Sequence, residues 1–502
     1  MSSSTEEFRI MVALGPITSW QPVPGPVTTW MASDASRENM AKADRDPLPP
    51  SFQQASHLRS AFGGRALGRP QPRLMVVSWD IPGTCDIAAM TTAINAHLRR
   101  HDTYHSSFGF QNGNIFRRTI SDPEQIEFLP FSYGEMSVDD IREHALTSTP
   151  DTLDWDCITF GISQQSDRFT FYASADHLHI DGMSAGIIFL DIHFAYQELI
   201  AGRPVIQTAV GGYRDYTARQ TAHIADMDLS SPEIRDWITF AQDTEGEWPS
   251  FPLELGDTWT NNNGDFITVE LLNGEETAAF DDACRNVGAR FSGGITACAA
   301  LAEHHLTGKT TYHGLAPSDT RMSGVETLSV GWFAGLFPVT VPIGDGCFGD
   351  VARAAQKSFD ANRNLANVPL DRVLEVAPVN QLGIELPTKP MMMVSFLDFG
   401  KIPVAELWGE TNFGTYGDNL SRGGINLWIN RHADRTTVTV SFPDNSIARD
   451  SVHRYIAALT EVFTDVARTA TEDWIEEVAR HANSTAAPTM TWDSHLDEIV
   501  AK

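Results

Sequence analysis

The stretch Arg168-Phe169-Thr170-Phe171-Tyr172-Ala173-Ser174-Ala175-Asp176-His177-Leu178-His179-Ile180-Asp181-Gly182 decides how this chain is read. In an extended strand Phe169, Phe171, Ala173, Ala175 and His177 share one face, and Thr170, Tyr172, Ser174 and Asp176 share the other. The strand therefore carries an imidazole, at the end of an apolar face, into a turn that also holds a carboxylate and a glycine. Beyond the turn Ile188, Ile192, Ala195 and Leu199 recur on one helical face, and Gly202-Arg203-Pro204 stops the helix. Strand, polar turn and helix in succession predict an α/β unit whose turn gathers the groups a functional site would use.

The turn has competing readings. A lone histidine that prolongs an apolar face is ordinarily a core group bonded to a backbone carbonyl. Here Asp181-Gly182 favours a functional role, because glycine lets the chain turn back sharply and a carboxylate can fix the loop that holds the ring. His177, His179 and Asp181 are also ligand types suited to zinc or iron. Alternate residues of a straight strand need a further ligand from elsewhere, however, and no second His/Glu cluster stands out. No metal is expected.

At 502 residues the chain is long for one core, and 12 Trp and 27 Phe supply material for two. Working outward, a strand is predicted at 73–79. A helix capped by Asp86 follows, with Ile87, Met90, Ile94 and Leu98 on its apolar face and Arg99-Arg100-His101 at its end. Residues 206–262 are acidic and broken, and read as a linker or lid with one short helix around Pro232 to Phe240. A second layered half begins with the strand Phe266–Leu272. Helices at about 275–289 and 294–307 alternate there with strands at 311–316, 391–398, 425–431 and 436–442, before a final helix bearing Val452, Ile456, Leu459, Phe463 and Val466. The expected division is 1–205, 206–262, 263–470 and a tail at 471–502, with two similar α/β (α+β layered) domains.

A formal charge of −29 argues against nucleic acid or an anionic membrane as the main partner. It also means that an anionic cosubstrate needs a local cationic patch. Arg353 and Lys357, four apart on a predicted helix with Arg363 beyond, are the candidates. The acidic start Met1-Ser2-Ser3-Ser4-Thr5-Glu6-Glu7 lacks the features of a secretory signal. The apolar segment Gly182 to Gly202 carries Asp191, His193, Gln197 and Glu198 and fails as a membrane span. A cytoplasmic protein that is not integral to a membrane is expected. Cys85, Cys157, Cys284, Cys298 and Cys347 are odd in number and lack CxxC spacing, so neither disulfides nor a zinc site follow.

His177-Leu178-His179-Ile180-Asp181-Gly182 resembles the HxxxDG core of the HHxxxDG motif of the chloramphenicol-acetyltransferase-like (CAT-like) superfamily. That group includes nonribosomal peptide condensation domains, carnitine and plant acyl-CoA acyltransferases, and the polyketide-associated acyltransferases of mycobacteria. Leu98-Arg99-Arg100-His101-Asp102-Thr103-Tyr104-His105-Ser106-Ser107-Phe108 resembles the RHxxLRTxF segment, and Gly331-Trp332-Phe333-Ala334-Gly335-Leu336-Phe337-Pro338 the GxFxNxxP segment. The mycobacterial proteins that acylate trehalose are more similar still, through 94–104, 154–157, 176–179, 331–333 and 442–445. Three positions depart from the pattern. Asp176 replaces the first His of HHxxxDG, Gly335 replaces the Asn of GxFxNxxP, and the DFGWG motif is degenerate at Asn412-Phe413-Gly414-Thr415-Tyr416-Gly417-Asp418, which is either a domain-bridging loop or an ordinary hairpin.

The resemblance implies a pseudo-dimer of two CAT-like domains with a tunnel at their junction. His177 is then the general base: it takes a proton from an acceptor hydroxyl that attacks a thioester carbonyl directly, with no acyl-enzyme and no cofactor. An imidazole pKa of about 6.5 suits that task. Asp181 is expected to pair with Arg321 of the second domain, Gly182 to keep the turn tight and offer its N–H to the oxyanion, and His179 to play a supporting part. Trp332, Trp408 and Trp428 are candidates to line a sugar or acyl pocket. The donor is expected to be acyl-CoA or an acyl carrier protein, with a polyketide synthase as a source, and the acceptor a hydroxyl of trehalose or a related glycoside. The rival readings are a free-standing condensation domain joining carrier-bound substrates and a non-catalytic scaffold.

Overall fold

The computed structural model describes residues 14–484 apart from 70, 246, 259–262, 323, 378–386, 402–405 and 422. The strand Arg168–Asp176 lies inside a seven-stranded sheet, between Leu74–Pro82 and Ile158–Gln164, antiparallel to both. Its alternation does not separate core from solvent, because every residue from Phe169 to Asp176 is buried. Phe169, Phe171, Ala173 and Ala175 pack under the helices Ile87–Arg100 and Gly182–Ile200. On the other face Tyr172 packs with Trp20, Ile141 and Ala145, the last two from the helix Val138–Thr147. On that face Thr170 donates to Asp80 and Ser174 accepts from Thr149.

The second lobe is built on a four-stranded sheet, in the order Gly264–Asn273, Arg435–Pro443, Asn426–Arg431 and Val394–Asp398. Helices Gly274–Asn286, Phe291–Thr307 and Ser446–Ser484 contribute Phe280, Ile295 and Phe463 to its core. The last helix continues past the expected boundary at residue 470. A hairpin of Thr311–Asp319 and Ala334–Pro342 projects toward the first lobe, and its connection carries Arg321 and Trp332.

One strand belongs to the other half. Gly414–Gly417 pairs antiparallel with Leu74–Pro82 and parallel with Leu14–Pro16, so it completes the first lobe's sheet. Asp418 pins the crossing by accepting from the N–H groups of Arg73 at 2.9 Å and Leu74 at 3.0 Å. The segment Asn412–Asp418 is therefore a bridge rather than an ordinary hairpin. Trp408 and Phe413 travel with it, stack at 4.5 Å and sit in the first lobe's core. The described residues of 206–262 contain two helices, Tyr213–Ala225 and Pro232–Asp243, where the acidic composition suggested one. Tyr213 and Tyr216 of the first are buried against Phe333.

Candidate active site

The turn after Asp176 is held by its own backbone. The His177 N–H donates to Arg73 O at 2.8 Å, and the His179 N–H to Asp176 O at 3.0 Å. The His177 ring is half-buried and lies 4.0 Å, centroid to centroid, from the half-buried Trp332 ring. Its Nδ1 has no hydrogen-bond partner on another residue among those described. Burial, with the charge of His57 adding to it, pushes the imidazole pKa down to about 4. At neutral pH the ring is a neutral base at the junction of the lobes.

Asp181 faces away from that ring. It caps the helix Gly182–Ile200, accepting from the Ser184 N–H at 2.9 Å and the Ser184 hydroxyl at 2.8 Å. The same carboxylate receives Arg321 Nη1 at 3.0 Å, Nη2 at 3.2 Å, and the Phe333 N–H at 3.0 Å. Burial alone would raise its pKa, but the Arg321 guanidinium and these hydrogen bonds override burial and hold it below the usual carboxylate value. Arg321 also donates to Ser329 O and sits 4.3 Å from the Phe333 ring centroid. Sequence positions 140 residues apart thus form one bidentate pair, and it ties the lobes together at the turn.

Gly182 requires a correction. Its φ is not in the left-handed region, and a Cβ there would meet nothing closer than Leu397 Cδ1 at 3.9 Å. The turn needs no glycine, because Asp181 already stops the extended chain and starts the helix. What Gly182 leaves is exposed space facing the second lobe, at the N-terminus of a 19-residue helix. Gly335 is more constrained. A Cβ there would lie 1.9 Å from Ala366 O, so the Asn of the resembled motif has no room.

Asp176 is buried, and sequence reasoning missed its partner. His57, from the helix Phe52–Ala66, places Nε2 2.7 Å from Asp176 Oδ1. Thr152 at 2.6 Å, Arg73 at 3.2 Å and the Leu178 N–H at 2.9 Å complete the shell of donors. Burial opposes the charge, yet these donors hold the carboxyl well below its usual range. Nothing in residues 50–60 advertises this, since the pair is 119 positions apart. His179 is buried beside Thr103 and Tyr104, burial pushes its pKa down to about 4, and it does not join the His177 ring.

A second imidazole cluster exists where none was expected. His97, in the last turn of Ile87–Arg100, and His101, just past its end, meet Asp191 of Gly182–Ile200, with ligating atoms within 4.8 Å of one another. The donor set does not fit a cation. The Val330 N–H donates to His101 Nδ1 at 3.2 Å, so the ring proton is on Nε2 and points at Asp191, 2.7 Å away. His97 Nδ1 is 3.0 Å from the same oxygen, and Arg100 contacts the other one. A metal would have to displace both protons and face a guanidinium.

Arg353 and Lys357 do not gather at the turn. Both are exposed on the helix Phe348–Asn362, where Arg353 pairs with Asp350, and neither bonds to any group of the His177 loop. That helix packs mainly on Phe291–Thr307 and on Ala334–Pro342 of its own lobe. Of the three tryptophans, Trp332 covers His177, Trp428 is half-buried on the second lobe's sheet, and Trp408 is core. All five thiols are free, four of them buried.

Comparison with known proteins agrees with this architecture. The condensation domain family matches residues 73–382. The acyltransferase PapA3 of Mycobacterium tuberculosis is 44% identical over 469 residues, which is 91% of this chain and 98% of that protein. Trehalose-2-sulfate acyltransferase PapA2 of Mycobacterium bovis is 43% identical over 456 residues, 90% of this chain and 97% of that protein. A solved structure of PapA2 acyl transferase superposes with a TM-score of 0.87 at 42% identity, covering 91% of this chain and 99% of that one. The epimerization domain from the third module of tyrocidine synthetase B shares the fold alone, with a TM-score of 0.64 at 12% identity over 85% of this chain and 98% of that one.

Proposed function

The chain belongs to the condensation domain family and is an acyltransferase, and from that premise we propose that it moves an acyl group from a thioester to a hydroxyl of trehalose or a sulfated trehalose, with His177 as general base. The observation that carries this reading is a half-buried neutral imidazole, at the meeting of two lobes, covered by Trp332 and hydrogen-bonded to no other side chain among the described residues. Such a ring can take the hydroxyl proton as the oxygen attacks the thioester carbonyl, then return it to the departing thiolate. No acyl-enzyme and no cofactor are needed. The developing oxyanion forms beside the Gly182 N–H, at the positive end of the helix dipole, where the missing side chain leaves space. Asp181 and Arg321 act on the loop and not on substrate, because five donors already occupy the carboxylate.

The acceptor is inferred from the relatives, one of which is named for trehalose-2-sulfate. The donor is acyl-CoA or an acyl carrier protein supplied by a polyketide synthase, in the cytoplasm. No helix among the described residues is long and apolar enough to cross a membrane.

A thiol-release assay tests the reading. Purified protein is given acyl-CoAs of graded chain length, or an acyl-loaded carrier protein, with trehalose, trehalose-2-sulfate or an amine as acceptor. Ester formation on a trehalose hydroxyl, lost in His177→Ala, is the expected result. Amide formation in preference to ester, or transfer unaffected by His177→Ala, would overturn it.

A further inference from the structure

Asp176 and His177 are consecutive in the chain, yet only the second opens toward the lobe junction. The first is sealed below it and holds His57. The Asp176 carboxylate takes donors from His57, Arg73, Thr152 and the Leu178 N–H, and Arg73 keeps it ionised. His57 Nε2 therefore carries a hydrogen directed at Asp176, which fixes that ring's tautomer and plane. The ring so fixed stands 5.6 Å from Trp332, at 72°, and 6.5 Å from His177, while Trp332 covers His177 at 4.0 Å. Three rings thus form one cluster, anchored at its buried end by a carboxylate.

We propose that His57, held by Asp176, is a positioning residue of the acyl-transfer site, which seats Trp332 against the His177 ring and sets its own imidazole beside that base. This rests on the reading of His177 as general base. Trp332 has a second brace, the Tyr213 hydroxyl donating to its carbonyl at 3.0 Å, but only His57 touches the indole and faces His177 together. The charges around His177 favour this arrangement. Asp181 is neutralised by Arg321, and Asp176, though adjacent in sequence, directs its oxygens to His57, Arg73 and Thr152. His57 thus stands against a carboxylate, whereas His177 has none in hydrogen-bond contact. The depressed pKa of His177, with His57 among its causes, agrees. His179, the remaining titratable group of the loop, lies toward Thr103 and Tyr104.

The substitution His57→Gln keeps a donor for Asp176 and removes the titratable ring. With the acyl-CoA and trehalose pair that supports thiol release, kcat is expected to fall on the order of 10-fold. The acid limb of the kcat/KM profile is expected to move to higher pH. An acid limb that stays in place, or a rate loss equal at every pH, overturns the proposal and leaves His57 as packing. Should the variant fail to fold, 15N-histidine NMR of the unsubstituted protein decides. A His57 Nε2–H resonance that persists from pH 5 to 8 supports the couple, and its loss to exchange overturns it. The base assignment is judged separately, because His177→Ala removes activity at all pH values if it is right, whatever the His57 profile does.

Discussion

Two histidine clusters lie along the helix Gly182–Ile200, and they differ in what their nitrogens have left to do. At His97, His101 and Asp191 the His101 ring is used at both nitrogens, once by Asp191 and once by the Val330 N–H, and all three residues are buried. At the helix N-terminus His177 is half-buried and its Nδ1 engages no neighbour, while the carboxylates beside it, Asp176 and Asp181, are saturated by other donors. The first cluster has the better metal spacing, yet it is a strut that joins the 320–333 connection to the first lobe. The second has poorer spacing and is the candidate for chemistry. Ligand geometry alone mistakes the strut for a site; accounting for each proton separates them.

That contrast can be broken most directly at His177. His177→Ala is expected to lower kcat by about 10²–10⁴-fold with little change in thermal unfolding, as read by thiol release and calorimetry. Next in size is the lobe tie. Arg321→Met leaves Asp181 buried and uncompensated, and is expected to cost about 3–5 kcal/mol in urea unfolding, with activity lost through disorder of the turn. His101→Ala should be smaller, about 1–3 kcal/mol, because it strands the Val330 N–H and weakens the Asp191 knot. Unlike His177→Ala it should retain measurable turnover at temperatures where it stays folded. Equal activity losses in the two variants would erase the distinction between strut and site.

Acid sharpens the same comparison. His101, His177 and His179 are each pushed by burial to about 4, below the ordinary histidine value. The unfolded chain therefore binds protons first as pH falls. The stability these rings contribute is complete above about 6.5 and is lost progressively toward about 4. Urea midpoints measured between pH 7.5 and 4.5 should fall, and His101→Ala should flatten the slope. The smallest effect is expected at the outer helix of the second lobe. Arg353→Ala with Lys357→Ala should change KM for acyl-CoA little, because both side chains are exposed and Arg353 already pairs with Asp350. A rise in KM would restore them to the donor site.

Much of the site was legible locally. The apolar alternation in Arg168–Ala175, the break at Asp181 and the helical face of Ile188, Ile192 and Ala195 follow from neighbours in sequence, so the strand, turn and helix could be read together. The Asp181–Arg321 pair was reachable only through resemblance, since no local pattern links residues so far apart. The bridging strand Gly414–Gly417 is four residues long, too short for a periodicity to show. Gly182 was misjudged because glycine at a turn suggests positive φ, whereas here the Asp181 cap makes the turn and the glycine leaves room.

The sequence by itself determined that His177 stands at the end of a strand and ahead of a helix, because the periods of strand and helix are short-range. Only the tertiary structure decided which imidazole remains available. His57 comes from one distant segment and Arg321, Val330 and Trp332 from another, and it is their placement that saturates Asp176, Asp181 and His101 while the His177 ring is bound by no other side chain among the described residues. Hydrogen-bond satisfaction is a property of three-dimensional neighbours, and so is the difference between a structural histidine and a base.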